Sequence, residues 1–448
     1  MRFEYFASVC ACVAALLVAA PAAAQPPRDW ARCANDANAY SSEKAIKGCT
    51  AIIKAGRGER RELAIAFYNR ANAFYGAGDF DRAIDDYGAA IRLDPTYASA
   101  FSNRGNAYSL KGDPDKAIAD YDAAIRLNPN YTIALSNRAD IYRTKGDFDR
   151  AIADYSAAIQ ASPKRARLFL DRGSAYRGKG DIKNAVADFD QAIKLDPKYA
   201  DAHLSRGLAH YDANDYDRAM ADFNQAINLN HRQPKALYSR GLVYTARHDY
   251  DRAIADYSEA IRLDHAFAYA YGNRARAFRA RGNLDHAIAD FNESLSLDPN
   301  NANDFNGRGL AYLDAKNYDQ AIVDFTKASE LDPRYTFAIS NRCWARAMAD
   351  RELRAALADC DAALTTKPDD VATLDRRALV YMKLSEIEKA IADYDAVLRL
   401  DPDDALARYS RGVARERLGD AAGASADRAA AQSLQPGVAD AFKKLGLR

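Results

Sequence analysis

The sequence has almost no net charge. Its 63 lysines and arginines stand against 62 aspartates and glutamates, a balance of +1 over 448 residues. A nucleic-acid partner would call for a basic stripe, so none is expected. No block of like charges marks a disordered tail. Proline is sparse, at 14 residues, whereas Ala, Asp, Arg, Leu, Ile and Tyr abound and 28% of residues are charged. That composition suits a long all-α protein. There is no Gly-rich phosphate loop, no His-Glu-x-x-His and no Gly-x-Ser-x-Gly. Paired carboxylates such as Asp85 and Asp86 recur along the chain instead of standing out as an acid–base couple,. Neither an enzyme nor a cofactor is expected.

A long apolar run is also missing beyond the first 24 residues, so no later segment has the roughly 20 apolar residues of a membrane span. The opening differs from the rest. Arg2 supplies a positive start, Phe6 to Ala20 is apolar, and Ala22, Ala23 and Ala24 precede Gln25 with small residues suited to a cleavage site. Residues 1–24 are expected to be a secretory signal peptide, which places the mature chain in the periplasm or outside the cell with no membrane span of its own.

A single core rarely serves a chain of 448 residues,, and an internal period removes the difficulty. Gly-Asp-Phe/Tyr-Asp-x-Ala-Ile-x-Asp-Tyr recurs every 34 residues,. Eleven repeats begin at Ala64, Ala98, Thr132, Ala166, Ala200, Pro234, Ala268, Ala302, Thr336, Val371 and Ala405, and only the ninth has an extra residue, near Arg351 to Ala355. Position 20 is Ala in all eleven, from Ala83 to Ala424, and position 8 is always small, from Ala71 to Gly412. Position 24 is Tyr or Phe in nine, and position 32 is Pro in nine. Small residues at 8 and 20 let two antiparallel helices approach while aromatics at 11 and 24 fill the space beside them. Proline at 32 stops the second helix. Gly-Asp at 15 and 16, as in Gly78 and Asp79, ends one helix and caps the next,.

On these residues the chain resembles the tetratricopeptide repeat family over 64–438. The resemblance implies a right-handed α-solenoid, a superhelix of helix-turn-helix repeats with a concave groove, and a non-enzymatic role in binding a protein or peptide. It departs at position 7, where the family pattern has Leu, and at position 4, where Trp is absent. Residues 25–63 read as a degenerate opening repeat and 439–448 as a short closing helix, as expected for the ends of a solenoid.

Position 7 is Arg and position 23 is Asp in all eleven repeats, from Arg70 and Asp86 to Arg411 and Asp427. Both fall on packed sides of their helices, so each Arg is expected to meet an Asp, within a repeat or across to its neighbour. Cys10 and Cys12 belong to the signal peptide. The other four cysteines form Cys33/Cys49 and Cys343/Cys360, both at positions 8 and 24. In an oxidising compartment they are expected to form two disulfides, each joining the helices of one hairpin. All six histidines lie in repeats five to seven: His203, His210, His231, His248, His265 and His286. A metal-dependent activity there is the alternative, but the repeat positions spread them apart and no metal site is expected.

Positions 2, 5, 9 and 12 share the face of the first helix that the resemblance places in the groove. The candidate partner-binding residues there are Tyr68, Asn72, Tyr75, Asn106, Asp140, Arg143, Arg177, Tyr211, Tyr238, Tyr269, Arg276, Arg279, Phe337, Trp344 and Tyr409. Tyr, Trp and Arg are common interface anchors. The family's chaperone-tail clamp carries Lys at position 5; Tyr68 and Ser102 stand there instead. A glycan-binding surface built on the Tyr and Trp residues is a further alternative.

Overall fold

The computed structural model describes residues 28–35, 39–56 and 58–443. The expected signal peptide and the last five residues of the closing segment lie outside them. The described residues form 25 α-helices and no strand, from Arg28–Ala34 to Val438–Lys443. The chain divides into two units, residues 1–229 and 230–448. Both are built the same way. Each repeat is an antiparallel hairpin of a first helix (A) and a second helix (B), as in Ala98–Leu110 with Pro114–Leu127. Inside a unit every A helix packs on its own B helix and on the B helix before it. The architecture is an α-solenoid.

The hairpin turn follows from two positions. Position 15 takes the left-handed conformation throughout, at Gly78 (φ 79°), Gly112 (φ 80°) and Gly180 (φ 84°), and equally at Asn214, His248, Lys316 and Ser385. Glycine adopts it without penalty and the others store modest strain. The Asp at position 16 then caps the B helix: Arg82 N donates to Asp79 Oδ1 at 3.2 Å, and Lys116 N to Asp113 Oδ1 at 3.2 Å.

The hairpin core is a ring laid on a small residue. Tyr87, Tyr121, Tyr155, Phe189, Phe223, Tyr257, Phe291 and Phe325 are fully buried. A β-carbon on Gly173 would stand 2.7 Å from Phe189 Cε1, and one on Gly241 2.6 Å from Tyr257 Cε1. Position 8 stays small because that ring occupies its space.

Two hairpins replace the ring with a covalent bond. Cys33 is joined to Cys49, and Cys343 to Cys360, each bond linking A to B. All four cysteines are buried. The first bond lies in the opening hairpin, whose helix Arg28–Ala34 has only seven residues. The second holds the hairpin with the extra residue, where Asp350 and Glu352 both have positive φ. At the other end, Val438 and Phe442 of the closing helix are buried against repeat eleven.

Candidate functional site

The Arg–Asp pairs form eleven times, always within a repeat. Arg104 Nε and Nη2 donate to Asp120 at 2.8 and 2.7 Å, and Arg308 does the same to Asp324 at 2.8 and 2.7 Å. Each carboxylate is nearly closed off from solvent and each guanidinium is about four-fifths covered. Such forked pairs are strong because both hydrogen bonds are charge-assisted and geometrically fixed. The free Nη1 reaches back across the joint to position 25 of the preceding B helix. Arg172 Nη1 donates to Ser156 Oγ at 3.0 Å, Arg206 to Asp190 at 2.6 Å, Arg274 to Ser258 at 2.9 Å and Arg377 to Asp361 at 2.7 Å. Arg138 binds Asp122 in the same way. One arginine therefore ties three helices. Sequence reading missed position 25 because its acceptor changes from Thr to Asp, Ser or Asn and leaves no single-letter pattern.

A second row of hydrogen bonds runs along the A helices, through several of the candidate binding residues. Tyr87 Oη donates to Asn72 Oδ1 at 2.6 Å, and Asn103 Nδ2 donates to Tyr68 Oη at 2.9 Å and to Asn72 Oδ1 at 3.1 Å. Asn106 Oδ1 accepts from Tyr121 Oη and Asn137 Nδ2, both at 2.7 Å. Asp140 accepts from Tyr155 Oη at 2.7 Å and from Arg143 at 3.2 Å. Burial pushes the Tyr87, Tyr121 and Tyr155 phenols above their ordinary range, which keeps them neutral donors. Arg177 binds Asp212 and Arg279 binds Asp314, each at 2.6 Å and each reaching the next A helix. The bonds of Asp140 stay within repeat three, whereas those of Asn72, Asn106, Arg177 and Arg279 join neighbouring repeats.

Other candidates are packed against rings. Tyr75 lies 5.5 Å from Phe80, Tyr211 lies 5.6 Å from Tyr216, and Tyr238 lies 4.9 Å from Phe267. Tyr409 is covered by Phe442 of the closing helix, with centroids 5.3 Å apart. Trp344 packs against the core of repeats nine to eleven. Two aromatic candidates are left open. Tyr269 is 62% exposed and Phe337 is 63% exposed, both at position 2 of an A helix in the second unit. Arg276 lies between them in sequence, with Asp304 at 2.5 Å.

Of the six histidines, His203 and His210 converge, facing Asp222 at 3.7 and 3.9 Å. The sequence positions had suggested that no histidines share a point. Arg206 already holds that carboxylate in a fork. Among the described residues no three His, Cys, Asp or Glu side chains come together to hold a metal ion, and no helix is long and apolar enough to cross a membrane.

Models of the tetratricopeptide repeat match residues 68–132, 104–166 and 170–236, and again 234–267, 268–301 and 302–335. A TPR repeat model matches 378–419. The chain belongs to the tetratricopeptide repeat family. Solved structures with likeness to it include a tetratricopeptide repeat protein from Parabacteroides merdae, 22% identical, covering 55% of this chain and 97% of that one with a TM-score of 0.45. The MamA protein is 30% identical and covers 38% of this chain and 93% of its own, with a TM-score of 0.33. YrrB, described as a TPR protein with an unusual peptide-binding site, is 22% identical over 41% of this chain and 95% of its own, with a TM-score of 0.35. A comparison with curated proteins finds no match. The tetratricopeptide fold is in general a non-enzymatic scaffold for interaction with other proteins.

Proposed function

We propose that this scaffold holds an extended peptide, or an extended stretch of a protein partner, along the exposed side of its A helices, and that it does so in the periplasm. The carrying observation is the exposure of Tyr269 and Phe337. Among the described residues they are the only Phe, Tyr or Trp residues that are mostly exposed, and an open aromatic is a ready anchor for a partner. The lateral hydrogen bonds support the same reading. Asn72, Asn106, Arg177 and Arg279 fix the spacing of the A helices, so the surface is preorganised and little ordering entropy is lost on binding. The apolar opening segment and the two disulfides support the location.

The test is photo-cross-linking in living cells. A photoreactive amino acid at position 269 or 337 is expected to trap a partner, whereas the same group at the solvent-facing Asp285 of a B helix is not. Equal trapping at all three positions, or recovery of the chain in the cytosolic fraction, would refute the respective half of the proposal.

A further inference from the structure

Repeats seven and eight break the repeat pattern at four positions that meet in space. Position 3 is Ala in eight repeats but Asp304 here. Position 27 is Ala in nine but Ser294 here. Position 5 is Gly only at Gly272, and position 9 is Arg only at Arg276. Asp304 is 2% exposed. Its Oδ2 accepts from Ser294 Oγ at 2.6 Å and its Oδ1 accepts from Arg276 Nη2 at 2.5 Å. A β-carbon on Gly272 would stand 2.7 Å from Asp304 Oδ2, so the glycine makes room for the carboxylate.

Folding alone does not call for this arrangement. Apolar residues of similar volume in place of a buried ion pair are often neutral or stabilising, and the other repeats use alanine. The arrangement does fix a guanidinium. Arg276 is held by Asp304 from the buried side, and its central carbon lies 5.6 Å from the Phe291 ring. Its side chain remains 38% exposed. One N–H is engaged by Asp304, and a planar fork with further donors is left for the open side. The neighbouring cation, Arg279, is neutralised by Asp314. Tyr335 stands beside the pair: burial raises its phenol above the usual range, against the opposing pull of Arg276 and Asn306.

On the peptide-binding reading above, we propose that Arg276 is the anchor for a side-chain carboxylate of the bound peptide, and that Asp304 and Ser294 are its positioning residues. A carboxylate suits the site because its two oxygens match the guanidinium fork. A phosphate would bring a second negative charge beside Asp304 and call for a further cation, and the neighbouring Arg279 is held by Asp314. The exposed Tyr269, on the same helix as Arg276, and Phe337, two repeats further on, then take apolar side chains of the same peptide.

The test is selection from a random dodecapeptide library fused at its C-terminus, so that side chains supply the only carboxylates. The full mature chain is expected to enrich Asp and Glu at one peptide position, and a Glu-to-Gln exchange there to weaken binding about tenfold, the effect of one charge-assisted contact. Arg276→Gln is expected to abolish the enrichment. The double variant Asp304→Ala with Ser294→Ala restores the alanines of the other repeats, so it is expected to keep the melting temperature while losing most of the enrichment. Where Arg276→Gln fails to fold, the triple variant Arg276→Gln with Asp304→Ala and Ser294→Ala takes its place, with the same loss of enrichment expected. Selected peptides no richer in acidic residues than the input would overturn this proposal while leaving the peptide-binding reading intact. Enrichment that survives in the double variant would remove the positioning role. A library that yields no binders would remove both readings.

Discussion

Arg104 Nη1 lies 3.5 Å from the point where Gly88 would carry a β-carbon. In other repeats that nitrogen reaches back to a polar side chain at the same place, as Arg172 does to Ser156. Gly88→Ser should supply the missing acceptor and remove a mid-helix glycine. The expected gain is about 1–1.5 kcal/mol, from roughly 0.5 of helix propensity and up to 1 for the hydrogen bond. A rise in the urea midpoint, with slower amide exchange in repeats one and two, would confirm it. An unchanged midpoint would show that position 25 contributes nothing.

Removing one member of a forked pair should be far more damaging. Asp154→Ala leaves Arg138 without the carboxylate that binds its Nε and Nη2 at 2.7 Å. The expected loss is about 3 kcal/mol, at the low end for a broken buried pair because a fifth of the arginine meets solvent,. By comparison, Asp79→Ala removes a helix cap and an exposed ion pair with Arg82, and should cost about 1 kcal/mol, most of it from the cap. Chemical denaturation of both variants measures the difference.

Two A-helix carboxyls make stability depend on pH. Burial raises Asp171 to about 6, against the opposing pull of Arg167. Burial, assisted by Asp404, raises Asp375 to about 7. A carboxyl raised by folding contributes stability that is whole below its unfolded value near 3.9 and is lost as pH rises through the folded value. Asp375→Asn should therefore be more stable than the parent at about pH 7.5, by no more than about 4 kcal/mol, with the advantage gone near pH 4. Denaturation midpoints at the two pH values test this. An advantage that does not change with pH would contradict it.

The Cys343–Cys360 bond closes a loop of 17 residues, worth about 3 kcal/mol in the chain-entropy account. Replacing both cysteines with serine should lower the stability of the second unit by about that much. Fast amide exchange is expected to spread from the two left-handed residues, Asp350 and Glu352. A thiol assay on the unreduced, unfolded mature chain should find no free thiol.

Much of this molecule is written in residues that recur at a fixed step. The ring-on-glycine core, the Asp caps, the Arg–Asp forks and both disulfides depend on one residue type at one repeat position, so spacing alone reveals them. What stayed hidden depends on contacts between repeats. Asn72 and Asn106 look free on a helical wheel, yet each accepts an asparagine amide from the following A helix. Ser294 and Asp304 are ten residues apart on different helices, and only the joint between hairpins brings them to 2.6 Å. A wheel describes one helix in isolation, whereas these partners are chosen by the way helices stack.

The backward reach of each arginine bears on how such an array can be shortened or lengthened. Arg377 holds its own Asp393 and also Asp361 of the hairpin before it, so a 34-residue segment cut at the helix boundary carries half of a joint with it. A graft cut at the hairpin boundary keeps every Arg–Asp fork, and its seam closes wherever the hairpin placed upstream offers a polar side chain at position 25. Joined behind a hairpin with glycine there, as at Gly88, the same segment leaves one guanidinium N–H without its acceptor.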